Sequence, residues 1–256
     1  MPNMPSLLEM LKSGAHFGHS TSKWHPKMEP YIFTVRSGVH IINLEKTAEE
    51  LAKALEFVKK TVANNGKVLF VGTKKQAQPV IKKYAEQAKM PYVVNHWMGG
   101  TLTNYSIINK LVERMKKMRQ DKVTGDWEKY TKKEQIKMQE EYDKLEQMAG
   151  GLESLNHRPE ALFIVDIKKE KTALREAIKM KLPVVALCDT NVNPDGIKHV
   201  IPANDDATKT IELITKLIAE AAIEGQAAQT LAPADKQSIF GEIKKEEAPQ
   251  EDNQEK

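Results

Sequence analysis

Four short apolar runs constrain this chain more than any other feature: KVLFVG at 67–72, PYVVN at 91–95, ALFIVD at 161–166 and PVVALCD at 183–189. Their Val, Leu, Ile and Phe residues do not alternate with polar ones. A strand with one wet face alternates, whereas a strand covered on both faces does not, as in a parallel sheet flanked by helices. Each run is followed by a polar loop and a helical pattern, which reads as repeated βα units. VHIINL at 39–44 is a fifth candidate strand, leading into a helix whose apolar face is Leu51, Ala54, Leu55 and Val58 and which stops at Gly66. KHVIP at 198–202 is a further short strand before a helix predicted from about Asp206 to Glu224. The expected fold class is α/β, a doubly wound parallel sheet, with strand order left open.

Between Asn104 and about Leu155 the rhythm breaks. Ile108, Leu111, Met115 and Met118 recur at steps of three, four and three; Met138, Tyr142, Leu145 and Ala149 recur at four, three and four. These are the spacings of a narrow seam between two helices. Gly125 supplies a turn, and Thr131 with Glu134 fits a capping box. An antiparallel helical hairpin projecting from the sheet is expected over 104–155; the alternative is two helices lying flat on it. The sheet domain is then discontinuous, 1–103 and 156–225. Residues 226–256, rich in Gln, Ala, Pro and Glu, are expected to form a disordered charged tail.

One cysteine, Cys188, excludes an internal disulfide and any multi-cysteine zinc site. It lies in a run expected to be buried, as a packed thiol. No run nears the ~18 apolar residues of a membrane span, and no secretory signal is visible, so a cytosolic chain is expected. The net charge of +4 hides an asymmetry: residues 241–256 carry six acids against three lysines, leaving +7 on the rest. Residues 61–90 hold six lysines and one acid, Glu86. Such a field suits a polyanion, or is simply a solvated surface.

Three stretches have the composition of a site. VGTKKQ, at 71–76, places Gly72, Thr73, Lys74 and Lys75 after a strand and before a helix, where this fold class receives anions. It matches neither G-x-x-x-x-G-K-[ST] nor G-x-G-x-x-G, so it suits a phosphodiester backbone better than a nucleotide. NHWMGGTLTN, at 95–104, offers Asn95, Trp97, Thr103 and Asn104 around Gly99 and Gly100. It can contact a phosphate or cap the next helix, and no acidic pair beside it would hold a metal. GAHFGHSTSKWHPKMEPYIF, at 14–33, gathers His16, His19, Lys23, Trp24, His25 and Lys27. Packing histidines and a nucleotide-stacking loop are both open readings. No metal is expected; were one held, His16, His19, Asp189 and Asp205 are the candidate ligands. Asp166 and Asp189 end strands, yet no arrangement in the chain compels catalysis.

Three long blocks carry a resemblance. MLKSGAHFGHSTSKWHPKMEPYIFTVRSGVHIINLEKT, NHWMGGTLTNY and LPVVALCDTNVNPDGIKHVIPANDDA make the chain, over about residues 5–225, similar to the bacterial ribosomal protein S-two family. The resemblance implies a flavodoxin-like sheet with an inserted coiled-coil hairpin. It implies a non-catalytic constituent of the small ribosomal subunit in the bacterial cytoplasm, binding rRNA at the head–body junction without a cofactor. Neighbouring ribosomal proteins, and the mRNA-capturing protein S-one where it exists, are the implied protein partners. Lys74, Lys75, Lys82 and Lys83, with Arg114, Lys116, Lys117 and Arg119 on the hairpin, would then neutralise phosphates. The loop carrying His16, His19, Lys23, Trp24 and Lys27 would read RNA shape. The rival readings are a phosphate-ester enzyme at the same strand ends and a protein-binding adaptor that grips through the hairpin.

Overall fold

The computed structural model describes residues 4–243, with side chains described through residue 229. Helix α1 (Leu7–Ser13) opens on a Ser6–Glu9 capping box and ends at Gly14. Strands β1 (Phe17–Ser20), β2 (Ile32–Arg36) and β3 (Val39–Ile42) follow, with a 3₁₀ turn, Pro26–Tyr31, between the first two. They form an antiparallel sheet of order β1-β3-β2. VHIINL is therefore a strand, but it does not join the parallel sheet. The cause is local: Ser37 and Gly38 both have positive φ (52° and 76°) between the paired residues Arg36 and Val39. A two-residue loop of that kind forces a tight hairpin.

Helix α2 (Leu44–Ala63), capped by Asn43, leads to the main sheet. Its strands are β4 (Val68–Val71), β5 (Tyr92–Val93), β6 (Ala161–Val165), β7 (Val184–Cys188) and β8 (His199–Pro202). They are all parallel, in the order β5-β4-β6-β7-β8. Helices α3 (Gln78–Gln87), α6 (Lys171–Lys179) and α7 (Thr208–Ile243) connect or follow them, and α4 (Tyr105–Val123) and α5 (Lys132–Ala149) intervene between β5 and β6. Counted within the sheet the order is 2-1-3-4-5, that of flavodoxin-like folds.

Alternate residues of each strand enter opposite cores. Phe70, Phe163, Val185 and Leu187 pack with Leu51, Val58, Ile81, Ile214 and Ile218 of α2, α3 and α7. Leu69, Val71, Leu162, Ile164 and Ala186 pack with Ala173 and Ala177 of α6 and with Leu102, Ile108, Val112 and Leu152. The root of the hairpin thus covers part of one sheet face. Farther out, Met115, Trp127, Tyr142 and Leu145 make a separate small core. The Thr131–Glu134 capping box forms, and Gly125 turns the chain at φ 80°. Cys188 is wholly buried, and burial pushes its thiol up.

The last helix departs from expectation. It continues past Glu224 to Ile243. Gly225 does not end the helix because its bare backbone packs on α2: a Cβ there would lie 2.7 Å from the Lys59 carbonyl. Gln and Ala then favour helix, and Gln226 donates to the Ala88 carbonyl at 2.7 Å and Gln229 to Asn65 Oδ1 at 3.0 Å. Residues 244–256 of the expected tail lie outside the described residues.

Candidate functional site

In an open parallel sheet, ligands gather beyond the carboxyl ends of the strands where strand order reverses, here between β4 and β6. Past β4 the chain presents Gly72, Thr73 and Lys74. A Cβ on Gly72 would meet Ile81 and Ala77 at 3.1 and 3.3 Å, so this glycine serves helix–strand packing. Lys74 turns inward. Its ammonium lies 2.8 Å from Asp205, 2.5 Å from Asp206 and 3.3 Å from Asp166. Burial lowers the Lys74 pKa, but the bonds to Asp205 and Asp206 outweigh it and the net shift is upward. Burial raises Asp205 to about 7, with the Asp166 and Asp189 charges adding and Lys74 opposing. The sequence pattern assigns Lys74 to phosphate; the fold surrounds it with its own carboxylates.

Thr73 is equally engaged. Its N–H and hydroxyl both donate to Glu170 Oε1, at 2.9 and 2.5 Å, and its carbonyl accepts from Lys169 at 2.7 Å. Glu170 is buried. Asp166 takes a left-handed φ of 64°, placing one carboxyl oxygen on the Lys169 N–H at 3.0 Å and the other toward Lys74.

NHWMGGTLTN also holds an anion, from the chain itself. Glu176, on α6, is only 9% exposed. Its Oε1 accepts from the Trp97 indole at 3.1 Å and the Gly100 N–H at 2.8 Å. Its Oε2 accepts from the Leu102 N–H at 3.0 Å and from the Thr103 N–H and hydroxyl, both at 3.3 Å. Burial raises this carboxyl, yet the converging donors outweigh it and hold the group below its ordinary range. Gly99 sits in open space and Gly100 has φ 94°. Asn95 donates to the Gln147 carbonyl at 2.7 Å, tying the loop to α5. Asn104 precedes α4 without capping it and accepts from Ser106 at 3.2 Å. Sequence reasoning finds this loop and misses its ligand, because nothing in the spacing links residue 176 to residue 100.

The histidine stretch divides. His19 meets Asp189 at 3.0 Å and Asp206 at 3.7 Å, and one donor atom from each of the three lies within 4.8 Å of the others. That set could hold a divalent cation. The hydrogen bond to Asp189 raises the His19 pKa. His16 instead stacks on Phe17, centroids 3.9 Å apart, and burial lowers its pKa. Asp205 faces Lys74, so of the four sequence candidates only His19 and Asp189 converge. Trp24, half-buried, lies against His40 at 4.9 Å.

The remaining cations sort by partner. Lys27 pairs with Asp195, and Arg114 with Glu141 across the hairpin. Lys83 meets Glu212 at 3.3 Å, and Arg119 meets Glu153 at 2.9 Å and the Tyr142 hydroxyl at 3.1 Å. Lys116 donates to the Glu153 carbonyl at 3.3 Å. Lys23, Lys75, Lys82 and Lys117 are exposed, and among the described residues none of them forms an ion pair.

In this flavodoxin-like sheet the loops after β4 and β5 are occupied by the chain's own Glu170, Glu176 and Lys74 contacts, and Lys23, Lys75, Lys82 and Lys117 are left exposed outside them. Residues 10–225 match the model of the family Ribosomal protein S2, and the chain belongs to that family. It is 49% identical over 221 residues to the small ribosomal subunit protein uS2 of Roseiflexus castenholzii, covering 86% of this chain and 84% of that protein. The uS2 protein of Roseiflexus sp. (strain RS-1) is 50% identical at the same coverage. That of Bifidobacterium longum is 49% identical over 86% of this chain and 79% of its own length. The family is one of structural ribosomal proteins, and the enzymatic rival falls with that membership.

Proposed function

We propose that this chain is built into the small ribosomal subunit of a bacterial cytoplasm, where it binds rRNA at the head–body junction and supports docking of neighbouring proteins. Family membership carries the reading. Two surfaces divide the work. Lys75 and Lys82 near α3, Lys117 on the hairpin and Lys23 near Trp24 are the phosphate contacts, since the fold leaves them exposed. They supply affinity and register but little sequence information, so specificity rests on RNA shape. The small antiparallel sheet leaves Phe33 72% and Phe17 50% exposed. Apolar surface of that kind suits a protein neighbour, with the mRNA-capturing protein S-one among the candidates.

The hairpin, 104–155, acts in this reading as a coiled-coil insertion in a sheet domain formed by 1–103 and 156–225. No helix among the described residues is long and apolar enough to cross a membrane. The test is rRNA binding by the purified protein across a salt series. Replacing Lys75 and Lys82 together by Ala should weaken binding and lower the salt slope by about 1 for each phosphate no longer neutralised. Unchanged affinity and slope would remove these two residues from the interface.

A further inference from the structure

The 97–103 loop has the construction of an anion receptor. Three backbone N–H groups, an indole and a hydroxyl converge on two carboxylate oxygens between 2.8 and 3.3 Å. Among the described residues no Lys, Arg or His pairs with that carboxylate, so its charge is met by oriented dipoles alone. The surroundings are dry: Leu102 is wholly buried, and Trp97 and Thr101 nearly so. In such a place each dipole acts through a low dielectric and an unmet charge is costly. Six residues earlier, Glu170 fills the Thr73 turn in the same manner. The segment running into α6 therefore delivers one carboxylate to each of the two adjacent strand-end loops.

We propose that the 97–103 loop is a receptor for a small monocarboxylate whose resident ligand is the Glu176 side chain, and that this internal ligand sets the root of the hairpin on the sheet. The second half follows from connectivity. Helix α4 begins at Tyr105, two residues after Thr103, and the Tyr105 hydroxyl reaches the Leu155 carbonyl at 2.5 Å on the returning side. Ordering the loop orders the first turn of α4, and with it the packing of Ile108 and Val112 on the sheet. Glu176 is a positioning residue. Cutting it back to Ala removes a group about the size of acetate and leaves the donors in place, so formate or acetate fits the vacated receptor.

Two variants of the full chain test this. Glu176→Ala should melt lower than wild type, and sodium formate should raise its melting temperature saturably, beyond the same concentration of sodium chloride. Wild type and Glu176→Gln, whose receptors stay filled, should respond to the two salts alike. In Glu176→Gln the amide replaces one acceptor oxygen, so hydrogen exchange should quicken about tenfold, the scale of one charge-assisted bond removed, either at the Gly100 amide or at the Leu102 and Thr103 amides, which sit on opposite oxygens. The β6 amides should not change. If Glu176→Ala does not fold, the exchange in Glu176→Gln decides alone. Formate acting no better than chloride on a folded Ala variant, or unaltered exchange at the three amides, would overturn the proposal.

Discussion

Lys74 and Lys75 are neighbours with opposite fates. In sequence both read as cations at a strand end, poised for an external anion. In the fold, Lys74 is enclosed by Asp166, Asp205 and Asp206 while Lys75 faces solvent. The difference is illegible in sequence because the deciding carboxylates lie about ninety and one hundred and thirty residues away along the chain. A buried ion cluster is far more costly to break than to replace. Lys74→Met keeps the aliphatic stem and leaves the buried Asp205 and the nearly buried Asp166 without their cation, while the exposed Asp206 keeps His19 nearby, so it should cost about 3–5 kcal/mol of stability in urea unfolding. A loss below about 1 kcal/mol, the scale of a surface pair, would mean that the cluster holds nothing together. Asp189 and Asp205 are visible in sequence as candidate metal ligands, but their division between His19 and Lys74 needs the fold.

Among elements, legibility follows the range of the interaction that makes each one. The main strands are readable because burial on both faces removes alternation, and β6 and β7 are buried throughout. The hairpin is readable because its seam spacing, Gly125 turn and Thr131–Glu134 cap are all local. The antiparallel sheet escapes sequence reading although Ser37–Gly38 is a hairpin signal; β2 is exposed along most of its length, so its apolar residues Ile32, Phe33 and Val35 do not mark a buried face. The extension of α7 escapes it because Gly225 reads as a stop, and only packing on α2 shows why it is not. A second glycine carries a prediction. Where the chain returns from α5, a Cβ on Gly151 would lie 2.2 Å from the Tyr92 carbonyl oxygen. Gly151→Ala should force that turn off the edge strand β5 and lower the melting temperature by about 2–4 °C for each kcal/mol lost. A melting point within a degree of wild type would show that the turn yields without cost.

For the whole molecule, the sheet is the one in which enzymes hold nucleotides, and the chain has closed it from within. Glu170 and Glu176 fill the turns after β4 and β5, and Lys74 is paired with Asp205 at the same end of the sheet. Fold by itself does not decide function; here the family membership does, and it is that of a structural protein of the small ribosomal subunit. The resemblance seen in three sequence blocks predicts that family, but not the occupied loops. What the fold leaves on the exterior is its exposed lysines, Phe17 and Phe33 of the small sheet, and the outer faces of the hairpin. Sedimentation of a native lysate through sucrose gradients at low and high salt, following this chain by antibody, tests whether it sits on the small ribosomal subunit through phosphate contacts. Co-migration with the small ribosomal subunit is expected, with progressive release as salt rises and phosphate contacts weaken. A chain that stays at the top of the gradient at every salt concentration would rule out a place on the small subunit.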